Sequence, residues 1–169
     1  TGDGRIHLAG RTISDVSRVG KVTLSHALRV SSNVAMAIVA EAYTPDEQYE
    51  TLRDFGFGLP TGIDLPGEAS GLLRHPRNWS RQSAASLAMG YEISVTPLQM
   101  AMAYGALANG GLLMEPRLIR EVRGPDGRVL EEQAPRVVRR VIAEEVAMEV
   151  NRALVEAVED GTGSRARLT

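Results

Sequence analysis

Apolar residues in this chain return at spacings of three and four more often than they alternate, so helix is the dominant expectation. Leu24, Ala27 and Leu28 share one face of a short helix over residues 23–30, which Ser31-Ser32-Asn33 interrupts. Residues 34–43 are apolar nearly all round, the pattern of a buried helix. Thr44-Pro45-Asp46-Glu47 places a capping hydroxyl, a proline suited to the first helical position and a capping-box glutamate before a helix ending near Gly56. Thr96-Pro97-Leu98-Gln99 repeats that start, and Asn109-Gly110-Gly111 stops the helix it opens. A last helix is expected over residues 143–158, with Val146, Val150, Leu154 and Val158 recurring every fourth position.

Between these lie segments without a helical period. Residues 1–20 read as loop and short extended pieces. Residues 56–76 hold Gly58, Pro60, Gly62, Pro66, Gly67, Gly71 and Pro76, a long irregular segment that either borders a functional groove or wraps the helices. Residues 79–89 are rich in Ser and Ala. Residues 118–123 and 128–132 flank Gly124-Pro125-Asp126-Gly127, the layout of a β-hairpin. Such a chain forms either a complete helical domain or the helical part of an α+β domain.

Composition narrows the chemistry. A net charge of −2 gives no electrostatic case for nucleic acid, and 4% aromatics leaves little to stack on bases. With no cysteine, thiol catalysis, disulfides and thiolate metal sites are excluded. No apolar run approaches the roughly 20 residues of a membrane span. His7, His26 and His75 stand apart, without acidic partners at ligand spacing, so no metal is expected. Gly161-Thr162-Gly163-Ser164 lacks the lysine and spacing of a phosphate loop and reads as a helix end. Glu144, Glu145, Glu149, Glu156 and Glu159 read as a solvated helix face, and Trp79 as a packing anchor. Taken alone, Ser31-Ser32-Asn33 reads as a cap for the helix that follows.

In its setting the same turn means more. Ser31-Ser32-Asn33-Val34-Ala35 resembles the second active-site motif of class B penicillin-binding proteins. Gly10-Arg11-Thr12-Ile13-Ser14-Asp15 and Val22-Thr23-Leu24-Ser25-His26-Ala27-Leu28 resemble that family's approach to it. Phe55-Gly56-Phe57-Gly58 with Thr61-Gly62-Ile63-Asp64-Leu65-Pro66-Gly67-Glu68, then Met89-Gly90-Tyr91-Glu92-Ile93-Ser94-Val95-Thr96-Pro97-Leu98-Gln99-Met100, are similar to its later segments. Ala108-Asn109-Gly110-Gly111, Glu115-Pro116-Arg117 and Gly161-Thr162-Gly163 follow in the family's order. Three letters are a weak signal; ordered blocks along nearly the whole chain are a strong one. Residues 90–99 resemble the cell-division branch more than the elongation branch.

The resemblance implies an α+β fold: the mostly helical portion of a penicillin-binding transpeptidase domain of the β-lactamase-like serine acyltransferases, with a hairpin near residues 117–132. It implies a peptidoglycan D,D-transpeptidase that cross-links stem peptides through a serine acyl-enzyme, with no cofactor, at the outer face of the bacterial membrane and at septation. Its partners would be stem peptides ending in D-Ala-D-Ala, β-lactams and cell-division proteins, with a membrane anchor in the parent protein. Ser31 and Asn33 would be catalytic and substrate-binding residues. Ser31 would relay a proton, and Asn33 would hold a lysine and the acyl-chain amide.

Two family motifs are missing. Lys21 is the only lysine among 19 basic residues, and Arg18 stands three positions before it, so there is no Ser-x-x-Lys. Lys21-Val22-Thr23 is not Lys-Thr-Gly either. The chain also begins at Thr1 rather than methionine. The expectation is therefore a single partial domain over residues 1–169, lying between the nucleophile motif and the Lys-Thr-Gly motif and inactive alone. The alternative is a penicillin-binding sensor or non-catalytic relative used in assembly, which fusion to signalling elements would favour.

Overall fold

The computed structural model describes residues 2–167; the outermost ends of the 1–169 span lie outside the described residues. It opens with a hairpin, β1 (Arg5–Leu8) against β2 (Arg11–Ser14), paired antiparallel from Arg5↔Ser14 to Leu8↔Arg11. Its two-residue turn, Ala9-Gly10, has positive φ at both positions (49° and 80°), as a turn matched to strand twist requires. The short extended pieces expected over residues 1–20 are thus present, paired with each other as a ribbon.

Helices follow: α1 (Leu24–Arg29), α2 (Asn33–Ala40) and α3 (Pro45–Asp54). Thr23 caps α1, and Thr44 and Glu47 close the expected capping box on α3. The Thr44 amide, then its hydroxyl, hold the Glu47 carboxyl below its ordinary range. Two details differ from expectation. α2 stops three residues short of Tyr43, and Ile38 on it is 46% exposed, so its burial is one-sided. Of the residues expected to share one face of α1, Leu24 is exposed and Ala27 buried.

The next elements are β3 (Leu72–Leu73), α4 (Ser83–Ala88), β4 (Ile93–Ser94) and α5 (Pro97–Ala108). β3 pairs antiparallel with β4. The Ser- and Ala-rich stretch is therefore helical at its centre, packed on α2 with Ser83, Ala85, Ser86 and Leu87 buried. Trp79 turns its indole N–H to the Arg74 carbonyl at 2.7 Å, folding back on its own loop.

α5 carries the residue that orders the long irregular segment. Gln99 is 1% exposed; its amide donates to the carbonyls of Leu59 (2.7 Å) and Ser70 (2.9 Å), and its oxygen accepts from the Thr96 amide. One buried side chain thus completes a capping box and ties the segment across α5, satisfying backbone groups that burial would otherwise orphan. Gly71 permits this approach: a Cβ there would lie 2.3 Å from the Ser94 carbonyl oxygen.

Within the segment, the Glu68 carboxylate accepts from the amides of Thr61 (2.6 Å) and Gly62 (3.2 Å). The Thr61 hydroxyl, then its amide, hold the Glu68 carboxyl below its ordinary range. A lowered folded-state pKa means stability that is present at neutral pH and lost as pH falls through that lowered value. We therefore expect Glu68→Gln to lower the urea midpoint at neutral pH, with the gap to wild type closing under acid. A gap of equal size at both pH values would sink this account.

The chain closes with β5 (Leu112–Met114), β6 (Glu121–Arg123), β7 (Val129–Glu132), β8 (Val137–Arg140) and α6 (Glu144–Asp160). β6 and β7 form the expected hairpin, antiparallel from Glu121↔Glu132 to Arg123↔Val129. β5 pairs with β8 across the hairpin, a connection local pattern does not announce. α6 packs on α1 and α5. Its most buried residues are Ala147 and Ala153, whereas Val146 of the expected stripe is 47% exposed. The glutamates expected on a solvated face, Glu144, Glu145, Glu149, Glu156 and Glu159, are all exposed.

The core is built largely of alanine: Ala27, Ala37, Ala85, Ala106 and Ala147 are all buried. Side chains this small let helix backbones approach closely, which suits short helices with little area to bury. One cluster of Ile13, Val34, Ala37 and Ala85, with Ile6, Leu8 and Met89 against it, joins the hairpin to α2 and α4.

Candidate functional site

The turn between α1 and α2 is fixed from both sides. On the α1 side, the Ser31 amide donates to the Leu28 carbonyl (3.1 Å) and the Ser32 amide to the Ala27 carbonyl (2.9 Å). Those two bonds are a Schellman ending, a motif whose left-handed position is usually glycine. Here that position is Ser31, with φ 57°. A side chain in this region costs about 1–2 kcal/mol, so the surrounding bonds must hold it there.

On the α2 side, Ser32 is the N-cap, 2% exposed, its Oγ accepting from the Ala35 amide at 3.0 Å. The same hydroxyl donates to Asp15 Oδ2 at 2.8 Å, and Asp15 Oδ1 accepts from the Val34 amide at 2.9 Å. Asp15 follows β2 directly, so one carboxylate pins the N-terminus of α2 to the hairpin and spends both oxygens doing so. A negative charge at a helix N-terminus adds favourable interaction with the dipole.

The outcome is a division of roles within three residues. Ser32 is wholly engaged in structure. Ser31 is exposed and Asn33 half-buried, and neither side chain has a hydrogen-bond partner among the described residues. A hydroxyl able to donate and accept, and a carboxamide able to do both at once, thus stand two residues apart in a turn held by other groups, with their bonding capacity unspent. Sequence reasoning placed Ser31 and Asn33 here but missed Asp15, which stands far from the turn along the chain; the resemblance of residues 10–15 was its one available signal.

The other candidates disperse. His26 Nδ1 lies 3.1 Å from Arg29 Nη2, His7 lies beside Thr12, and His75 stacks obliquely on Tyr49 at 5.2 Å. Among the described residues no group of three or more His, Asp or Glu side chains could hold a metal ion. None of the described helices is long and apolar enough to cross a membrane. A cavity of about 510 Å³ opens instead beside the hairpin, lined by Asp64, Glu115, Leu118, Ile119 and Arg136 among others. It contains an ion pair, Glu115 with Arg136 at 3.3 Å, but no hydroxyl nucleophile, and no residue of the 31–33 turn. The turn, and not the cavity, therefore presents the candidate hydroxyl and carboxamide.

Comparison with known proteins identifies the family. The family model of the penicillin binding protein transpeptidase domain matches residues 3–168. Penicillin-binding protein PbpB of Mycolicibacterium smegmatis is 39% identical over 172 residues, covering 96% of this chain and 26% of its own length. The peptidoglycan D,D-transpeptidase FtsI of Escherichia coli is 36% identical over 131 residues, covering 76% of this chain and 22% of its own. Among solved structures, penicillin binding protein 3 of Mycobacterium tuberculosis, complexed with aztreonam, superposes with a TM-score of 0.86 at 34% identity, over 99% of this chain and 39% of that one. The chain therefore spans about a quarter of the length of the curated relatives named here.

Proposed function

This chain belongs to the penicillin-binding protein transpeptidase family, and from that membership we propose that it is the central part of a transpeptidase domain that cross-links peptidoglycan. In this reading a serine in the flanking sequence attacks the carbonyl carbon of the penultimate D-Ala of a stem peptide. The peptide C–N bond breaks, terminal D-Ala leaves with the serine's proton on its nitrogen, and an ester joins the stem to the enzyme. The amine of a second stem peptide then attacks the ester carbon. Its C–O bond breaks, and the serine oxygen recovers a proton.

Ser31 Oγ carries the proton between the nucleophile's lysine and the departing or entering nitrogen, a transfer worth about 100- to 10,000-fold when well placed. Asn33 accepts from that lysine and donates to the acyl-chain amide. The observation that carries the reading is the turn itself: an uncapped hydroxyl at positive φ beside a free carboxamide, held by bonds that use neither. Strained backbone is found repeatedly at active sites, and here it carries an exposed hydroxyl with no bond of its own among the described residues.

The same reading puts the protein at the outer face of the membrane, on a membrane-anchored parent. The likeness of residues 90–99 to the cell-division branch supports a role at septation. β-Lactams would acylate the same serine, since their ring carbonyl presents the same electrophile.

The test is mass spectrometry of the full-length protein that carries this sequence, after labelled penicillin. One covalent adduct is expected, on a serine outside residues 1–169. An adduct mapped to a serine inside that span, or none at all, would overturn the reading.

A further inference from the structure

We propose that residues 161–163 form a positioning strap that fixes the polypeptide following α6 against the turn bearing Ser31. The proposal rests on the function proposed above and assigns to that site residues beyond the Ser31-Ser32-Asn33 turn.

α1 is held along its flank by α6, from its first turn to its last residue. Ser25 Oγ donates to Glu156 Oε2 at 3.1 Å, and Arg29 Nη1 pairs with Asp160 Oδ2 at 2.8 Å. Beyond α6 the main chain itself takes over. The Thr162 amide donates to the Arg29 carbonyl at 3.2 Å, and the Thr162 hydroxyl lies 3.5 Å from the same oxygen. The Gly163 amide donates to the Ala157 carbonyl at 2.9 Å, turning the chain back over its own helix. Arg29 is thereby gripped by side chain and carbonyl together, two residues before Ser31.

Gly161 makes the grip possible through space rather than through φ, which at −133° any residue can adopt. A Cβ there would sit 2.4 Å from the Arg29 carbonyl oxygen and 2.7 Å from that of Ala157. Both obstacles are backbone, so neither can swing aside. An alanine would push the strap off α1 by about 1 Å, and displacement of that size can cost an enzyme up to ~100-fold. An ion pair with Asp160 exposed is worth little by itself. The close main-chain contact, tolerant only of glycine, is what sets the distance between the Ser31 turn and the residues after 163. In the proposed enzyme those residues lead to the wall that binds the substrate carboxylate, so the strap keeps two walls of one site in register.

The experiment is β-lactam acylation of the full-length protein, separating non-covalent affinity, the rate constant of acylation per folded molecule, and the amplitude. A purely structural role would lower the amplitude, which counts folded molecules, and leave that rate constant alone. For Gly161→Ala we expect the rate constant to fall about tenfold with amplitude largely kept. Thr162→Val, a gentler change that decides the matter if Gly161→Ala does not fold, should fall about threefold, while Thr162→Ser stays near wild type. A wild-type rate constant in the folded Gly161→Ala or Thr162→Val protein overturns the strap. A wild-type protein that no penicillin acylates overturns the functional reading beneath it, a separate and recognisable failure.

Discussion

Ser31→Gly is expected to make the protein slightly more stable and its acylation by penicillin at least ~100-fold slower. The two effects have one origin. Ser31 occupies the left-handed position of the Schellman ending at φ 57°, where a Cβ is unfavourable. Removing it recovers about 1–2 kcal/mol of native-state strain. Against this stands the extra chain entropy that glycine loses on folding, about 0.5–1 kcal/mol. The balance favours the variant by about 0.5 kcal/mol, because no hydrogen bond is given up: the Ser31 side chain makes none among the described residues. Ser31→Ala separates the terms, since it loses the hydroxyl and keeps the strain. It should match the glycine variant in rate and wild type in stability. Urea midpoints and penicillin acylation rates of the three full-length proteins check this. Wild-type acylation in either variant would remove Ser31 from the chemistry, and a glycine variant less stable than the alanine one would refute the strain.

Helix starts were legible because their causes are local: a capping hydroxyl, a proline and a returning carboxylate or amide lie within four residues at Thr44 and at Thr96. The β6–β7 hairpin was legible for the same reason. The β5–β8 pair was not, since the whole β6–β7 hairpin separates its strands in sequence and the pairing depends on tertiary contact. The spacing of Val146, Val150, Leu154 and Val158 named the helix; Val150, Leu154 and Val158 are half-buried, but the closest contacts fall to the alanines at 147 and 153, which admit the neighbouring helices more closely than valine would. In the site, Ser31 and Asn33 were legible as a motif. What holds them was not: Asp15 and Gly161 reach the turn only through the fold, and no periodicity connects them to it.

Asp15 should accordingly be the residue on which the turn's stability depends most. Asp15→Ala withdraws the acceptor of the Ser32 hydroxyl and of the Val34 amide, two donors on buried residues. Ser32 can rotate its proton elsewhere while still capping Ala35, so its loss is partial. The Val34 amide has no such freedom, being one of the orphan donors of a helix N-terminus. An unsatisfied buried donor costs about 1–3 kcal/mol, and the lost charge at the α2 terminus adds a few tenths more. The total expected for Asp15→Ala is about 2–4 kcal/mol. Asp15→Asn keeps a carbonyl oxygen for the Val34 amide but no charge and no acceptor for Ser32, so about 1 kcal/mol is expected. Because Asp15 and Ser32 share one bond, a double-mutant cycle of Asp15→Ala with Ser32→Ala should show a coupling of about 1–2 kcal/mol. Acylation should fall in the order wild type, Asn, Ala, since the carboxylate that orders α2 also orders the residues on either side of Ser32. Additive energies in that cycle, or an alanine variant with the wild-type urea midpoint, would show that the turn holds Ser31 and Asn33 in place without Asp15.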